Sequence, residues 1–221
     1  MSDLSLRVEA IGSMLLLTAQ GRTDASLIDL RPGLLAAQLS AHKRCRAGGE
    51  PGCWQDEFGR VLAMLGWRQV LNEKHDAIMQ GRSGWVVHEM LAHGVAKRCP
   101  AQWARPIKQA LAKVAAASAD SAAVQVLRAY GWYGTELNLQ AAFLDTDGSL
   151  TTYGIRVQAH EPVPAQWLSH HFQSSVANTM LHTRMNEFRF SKALYEPAVE
   201  GLKSRLGDRL HTAIAALHEG A

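Results

Sequence analysis

LNLQAAFLDTDGSLTTYGIRV, residues 137–157, decides how this chain folds, because the register of the segment can be worked out from its own residues. Two alternating runs, 137–144 and 150–157, flank an aspartate–glycine pair, the mark of a β-hairpin. Matching the faces settles the loop length. A two-residue loop at Asp147 and Gly148 sets Leu139 opposite Arg156 and Leu137 opposite Gln158, which mixes the faces. A three-residue loop, 146–148, sets Leu137 opposite Val157, Leu139 opposite Ile155 and Ala141 opposite Tyr153. It also puts Gly148 at the left-handed position such loops favour. The three-residue loop is therefore predicted, giving one apolar face and one wet face that carries Asn138, Gln140, Thr152 and Arg156.

A two-stranded hairpin is barely stable in water, so its apolar face must be covered. Residues 4–10 alternate apolar and polar, Gly12 and Ser13 offer a bend, and 20–23 close the element, so 4–18 reads as β. Segment 4–10 is expected to pair along one edge of the hairpin and make a three-stranded sheet. The expected fold class is α+β and helix-dominated, with a small antiparallel sheet (N-terminal strand 4–18 plus hairpin 137–157) packed on helices. A single domain is expected over 1–221, with a helical core at 24–130, the hairpin unit at 136–160 and C-terminal helices at 165–218.

Within the helical core, Pro32 fits the first turn of a helix reaching about Ala41, and the loop 47–52 is the clearest break in the chain. Phe58, Val61, Leu62 and Leu65 trace an i, i+3, i+4, i+7 stripe, expected to continue past Gly66 towards Met79. Pro-Ala-Gln-Trp occurs at 100–103 and again at 164–167, each read as a helix entry. From Pro106 to about Tyr130 the chain is alanine-rich and reads as a packed helix. Further on, Trp167, Phe172, Val176 and Met180 begin a helical pattern. Val199, Leu202, Leu206, Leu210, Ile214 and Leu217 form a second stripe of about five turns with Pro197 at its start, opposite Glu200, Lys203, Arg205, Asp208 and Arg209.

VVHEMLAHG, residues 86–94, stands one residue away from the zinc-protease pattern, in which two histidines four apart face one ion. His88 and His93 are five apart, which turns them roughly 140° from each other around a helix. Glu89 and His93 have the right spacing but lack a general base, and read as a surface pair on a helix with Ser83 as N-cap and Val87, Leu91 and Val95 inward. Adjacent His170 and His171 point apart, and His171 and His182 would lie ~16 Å apart on one long helix, so neither pair makes a metal site. No metal ligand and no cofactor are expected.

No G-x-S-x-G, phosphate loop, dinucleotide fingerprint or reactive-cysteine context occurs in the sequence. Asp56 and Glu57 suit a helix N-terminus, Asp145 and Asp147 suit a turn, and no catalytic residue can be assigned. The net charge of +3 is mild, and the basic clusters at 42–46 and at Lys97 and Arg98 sit at expected helix ends, so nucleic acid is not an expected partner. The most concentrated apolar run, 14–17, is far short of the ~20 residues of a transmembrane helix, and no secretory signal is visible at 1–10. Membrane-surface contact is compatible with the composition. Three cysteines, Cys45, Cys53 and Cys99, are read as reduced thiols in a cytoplasmic protein, with export without a cleaved signal left open. Cys45 and Cys53 can bridge only if the segment between them folds back.

By elimination, the expected role is non-enzymatic: self-association, or binding of another protein, through amphipathic helix faces. One alternative is a membrane-active protein, since the hairpin sits between helical regions as a tongue does in helical pore-forming toxins; Asn138, Gln140 and Arg156 make it too polar to enter a bilayer unaided. The other is an enzyme whose site is not visible in the sequence.

Overall fold

In the computed structural model the hairpin has the register the face-matching predicts. Strands β6 (Glu136–Leu144) and β7 (Ser149–Gln158), so numbered by their place among the ten strands of the described residues, pair Leu137 with Val157, Leu139 with Ile155 and Ala141 with Tyr153. Asp145 and Ser149 close the loop through the Asp145 N–H (2.9 Å to the Ser149 carbonyl), and Gly148 is left-handed with φ 84°. The structure describes residues 6–19, 30–45, 52–79, 84–159, 161–173 and 179–217. The expected closing turn 20–23, the loop residues 47–51, Ser83 and Val176 lie outside them.

The sheet around this hairpin is large and mixed, which corrects the small antiparallel one. The other strands are β1 (Leu6–Ile11), β2 (Met14–Ala19), β3 (Trp67–Met79), β4 (Gly84–Val86), β5 (Trp132–Tyr133), β8 (His171–Gln173), β9 (Thr179–Phe190) and β10 (Ile214–Ala216). Eight of them form one sheet in the order β10-β1-β2-β6-β7-β9-β3, with β5 paired to β6, while β4 and β8 form a separate ribbon. The bend at Gly12 and Ser13 is where the sequence puts it, but β2, not β1, meets the hairpin, and the pair is parallel. On the other side β7 pairs with β9 and β9 with β3, both antiparallel.

Helices lie on both faces, α1 (Leu30–Arg44), α2 (Cys53–Met64) and α6 (Lys192–Leu206) on one, α3 (Val87–Ala96), α4 (Ala101–Ala116) and α5 (Ala122–Gly131) on the other. A short α7 (Arg209–Thr212) precedes β10. Alternation along β6 feeds two cores. Leu137, Leu139, Ala141 and Phe143 join α3, α4 and α5; Ala142 and Leu144 join α1, α2 and α6. Because both faces are covered, "apolar in, wet out" does not describe this hairpin.

Three expected helices give way to strands or breaks. Gly66 is not a glycine inside a helix. It is left-handed (φ 84°), just past the Leu65 C-cap of α2, and a Cβ there would stand 2.7 Å from Leu194 Cβ. The chain reverses at that point into β3, so the helix expected up to Met79 ends at Met64. Residues 179–190, expected to be helical, form β9, because Leu181, Met185 and Phe188 find partners across β7 rather than along one helix. The C-terminal stripe breaks at Gly207 (φ 48°), where α6 ends, and Ile214–Ala216 adds a strand to β1 instead of a fourth and fifth turn. Pro197 sits inside α6, and Pro106 inside α4, which closes at Ala116 before α5 begins. Of the two Pro-Ala-Gln-Trp copies, 100–103 opens α4, whereas 165–169 are turns with Trp167 buried.

Glu57 shows how α2 is fixed to α1. Its buried carboxylate accepts from Ser40 Oγ (2.9 Å) and from Arg60 Nε and Nη2 (2.7 and 2.6 Å), with Arg44 at 3.4 Å. The Arg60 hydrogen bond, against the opposing effect of burial and with help from Ser40 and both arginine charges, lowers its pKa from 4.5 to about 2. The native value lies below the unfolded one, so this contribution is complete above pH 4.5 and is lost as pH falls towards 2. We therefore expect the urea midpoint of the wild type to fall over that window. Glu57→Gln should start lower at pH 7 and lose less on acidification; parallel curves for the two proteins would contradict the assignment.

Candidate functional site

The face of the sheet under α1 and α2 changes character along its strands. At one end it is apolar, with Leu144, Leu150 and Phe188 in register. One cross-strand step on, the row is Ala142, Thr152, Asn186 and Asn72; the next is Gln140, Gly154, Arg184 and Lys74; the next is Asn138, Arg156, His182 and Asp76. Asn138, Gln140, Thr152, Arg184 and Asn186 are all less than a tenth exposed. The residues read as a wet face are therefore a buried polar floor.

A roof closes over it. The C-terminal turn of α1 supplies His42 and the first turn of α2 supplies Trp54, Gln55 and Asp56. Cys45 and Cys53 form a disulfide between the two helix ends, with Cα atoms 5.8 Å apart, which corrects the expectation of three reduced thiols. Cys99 remains a free, buried thiol, raised to about 12 by burial and by the Asp145 charge. The rings of His42 and Trp54 are centred 5.4 Å apart and those of His42 and Tyr133 5.3 Å, so roof and β5 meet at His42. Burial lowers His42 to about 4, so the imidazole is neutral at pH 7.

The charged groups are matched to one another. Arg156 grips Glu136 with Nε and Nη2 at 2.9 and 3.0 Å. Arg184 donates to Asn72 Oδ1 (2.7 Å) and pairs with Asp56 (3.1 Å), which Lys74 also approaches at 3.5 Å. Burial disfavours the Arg184 charge, and Asp56 and Asp76 favour it. His182 Nδ1 lies 2.8 Å from Asp76 Oδ1. Gln69 donates to Asn186 Oδ1 (2.8 Å), and the Asn186 amide reaches Thr152 Oγ1 at 3.4 Å.

Five polar atoms of floor and roof have no such match. Both ring nitrogens of His42, Trp54 Nε1, Gln55 Oε1 and Gln140 Nε2 are sealed from solvent and lack a hydrogen-bond partner. A buried polar atom without a partner costs ~1–3 kcal/mol, so five such atoms in floor and roof are a substantial expense. Gly154 separates the two glutamines and contributes no side chain. A Cβ built there would be 3.8 Å from both Gln140 Cβ and Gln55 Nε2 and 3.9 Å from the Arg184 carbonyl, so a methyl group fits at that point in ordinary contact. No family model matches this chain, and no curated protein does.

Besides the hairpin residues Asn138, Gln140, Thr152 and Arg156, which form the floor, His182 and Asp56 are the residues singled out by sequence that reach this site. Glu89 and His93 are exposed on α3, as a surface pair should be, and His88 Nδ1 faces the Leu168 carbonyl at 2.9 Å. His170 approaches Glu161 at 3.5 Å, His171 lies in β8, and His182 lies in β9, so His171 and His182 share no helix. Asp145 and Asp147 hold the hairpin loop, accepting from Thr146 N (2.6 Å) and Ser149 N (2.8 Å). Sequence reasoning missed His42, Trp54, Gln55 and Arg184. The alternation that put Gln140 opposite Gly154 was the one available signal, because a glycine in mid-strand marks a close approach or an opening.

Proposed function

We propose that this protein binds a small polar molecule between the floor strands β6 and β7 and the roof formed by α1 and α2. The observation that supports this is the set of unpartnered polar atoms at Trp54, Gln55 and Gln140, each side chain more than nine-tenths buried, with His42 against Trp54. A ligand that satisfies them recovers what folding left unmet, so binding energy is stored in the free protein. The site is a binding site in this reading: its carboxylates Glu136 and Asp56 are held in ion pairs, Asp76 is matched by the His182 ring, and the free thiol Cys99 belongs to the core on the opposite face. The Cys45–Cys53 bridge that sets the roof supports an oxidising compartment for the working protein, in place of the cytoplasm.

Gly154→Val tests the reading. Valine suits a strand and its Cβ meets only ordinary contacts, so the variant should fold while its methyl groups come between Gln140 and Gln55. In an NMR screen of small polar compounds, the wild type should give hits that shift the Trp54 indole N–H and the Gln55 and Gln140 side-chain amides. Gly154→Val should give none. Hits that persist in a folded Gly154→Val, or that all map elsewhere, would contradict the reading.

Self-association, expected from the helix faces, stands as a second reading on one observation. Met64 and Leu194 are 71 % and 67 % exposed, beside a groove of about 560 Å³ that Ala63, Trp67, Phe190 and Leu194 help to line. Light scattering across protein concentrations checks it: a second copy seated there gives a dimer that Leu194→Lys abolishes, and a concentration-independent monomer removes the reading. The tongue reading is not carried forward, since β6 and β7 are paired on both outer edges and covered on both faces. Among the described residues no helix is long and apolar enough to cross a membrane.

A further inference from the structure

We propose that the groove where β3 begins and β9 ends takes a free single-chain amphiphile with an anionic head, of the fatty-acid class. The head lies against Arg68 and Arg189, and the chain runs along Ala63, Trp67, Phe190 and Leu194. This site is separate from the floor and roof described above and independent of the reading given for them. It names for the groove an occupant other than a second copy.

Charge is the first ground. Arg68 and Arg189 are direct partners in the antiparallel β3–β9 pair, so their side chains leave the same face with Cβ atoms about 5 Å apart. Both are exposed, both line the groove, and among the described residues neither makes an ion pair. Like charges directly opposite one another destabilise a sheet, and among the described residues no acidic side chain lines the groove to offset them. A carboxylate seated between two guanidinium groups accepts from both and removes that repulsion.

The apolar side of the groove is the second ground. The next cross-strand pair, Trp67 and Phe190, leaves the opposite face, with ring centroids 4.8 Å apart. A groove lined by both pairs therefore turns around the end of the ribbon, basic on one side and apolar on the other. Its volume of about 560 Å³ falls within the ~300–1,000 Å³ of small-molecule sites. Leu194 at its rim presents exposed apolar surface that an alkyl chain covers. The same features disfavour other occupants. A second copy docked two-fold on this patch brings the arginines of both copies together with no acid between them. A peptide carries an N–H and a C=O at every residue, for which the side chains of Ala63, Phe190 and Leu194 offer no partner. An alkyl chain needs none.

Calorimetry at pH 7.5 measures the binding of monomeric decanoate to the full-length protein, and NMR shifts of the Gly66 and Ser191 amides locate it. Decanoate should bind saturably and at least tenfold more tightly than decanol or acetate. Octanoate should bind about five- to tenfold more weakly than decanoate, since two methylenes leave the groove. Arg68→Gln combined with Arg189→Gln, both at exposed positions, should bring decanoate down to the affinity of decanol. Ala63→Trp, exposed on α2, should block both ligands. Circular dichroism checks the fold of each variant. Decanol that binds as tightly as decanoate, or an unchanged affinity in the folded double variant, overturns the anionic head. Acetate that binds as tightly as decanoate overturns the chain. No saturable binding, shifts confined to other residues, binding only to vesicles of anionic lipid, or a dimer by light scattering that decanoate leaves intact overturns the proposal as a whole.

Discussion

Gln55→Met combined with Gln140→Met should make the protein more stable, raising its unfolding free energy by about 1–3 kcal/mol in urea, while removing ligand binding. The direction is opposite to that of most core substitutions, which destabilise. It follows from the unmet atoms. Gln55 Oε1 and Gln140 Nε2 are sealed and unpartnered, so each costs desolvation without a compensating bond. Methionine keeps the length and flexibility of glutamine and removes the unmet group, so little packing is lost. Any bonds made by the other amide atoms reduce the gain, which is why the expected value stays below the sum of two full penalties. A loss of stability of similar size would mean that the glutamines are structural, satisfied by water or by each other.

The second large effect concerns the roof. Cys45→Ser or Cys53→Ser should lower stability by about 2–3 kcal/mol, the entropy released when a loop this short is no longer closed in the unfolded chain. The bridge spans a sequence separation of 8 and joins the end of α1 to the start of α2. His42 stands three residues before one cysteine, and Trp54 and Gln55 directly follow the other. The same substitutions should therefore weaken ligand binding more than a distant change of equal cost, such as Gly66→Ala. Urea denaturation with and without a dithiol reductant separates the two components. A reductant that shifts the wild type but leaves Cys45→Ser unmoved supports the bridge, and indifference of the wild type to reductant contradicts it.

The hairpin was legible because its evidence is local. Loop length, glycine position and facing pairs all lie within 137–157, and each constrains the others. The sheet beyond it was not legible. β3 is an edge strand whose residues are largely exposed on both faces, so WRQVLNEKHDAIM shows neither a clean period of two nor a helical stripe. Extending the preceding helix across Gly66 was the error that followed, although a glycine after a helical stripe reads equally as a left-handed stop. In the C-terminal region the steps of 3 and 4 persisted across Gly207, yet Leu210 and Ile214 reach the same core as Val199 and Leu206 from a different element. Periodicity recorded which residues face inward, and the backbone that brings them there was different.

The site was hidden for a related reason. Polar residues at alternate hairpin positions imply water on that face when nothing covers it, and nothing in 137–157 announces the roof. His42 reads as part of a basic cluster, and Trp54 and Gln55 read as an ordinary helix start. Arg184 sits in a segment read as helical, so its place beside Gly154 could not be anticipated.

A crystal structure near 1.2 Å, from crystals soaked in a mixture of small polar compounds, tests the central claim most directly, because amide orientations and bridging atoms are then resolved. The account predicts a bound molecule over Gly154 whose oxygens meet Gln140 Nε2, Gln55 Oε1, Trp54 Nε1 and a ring nitrogen of His42. Those four groups paired with protein atoms, and no bound molecule beside Gly154, would contradict it.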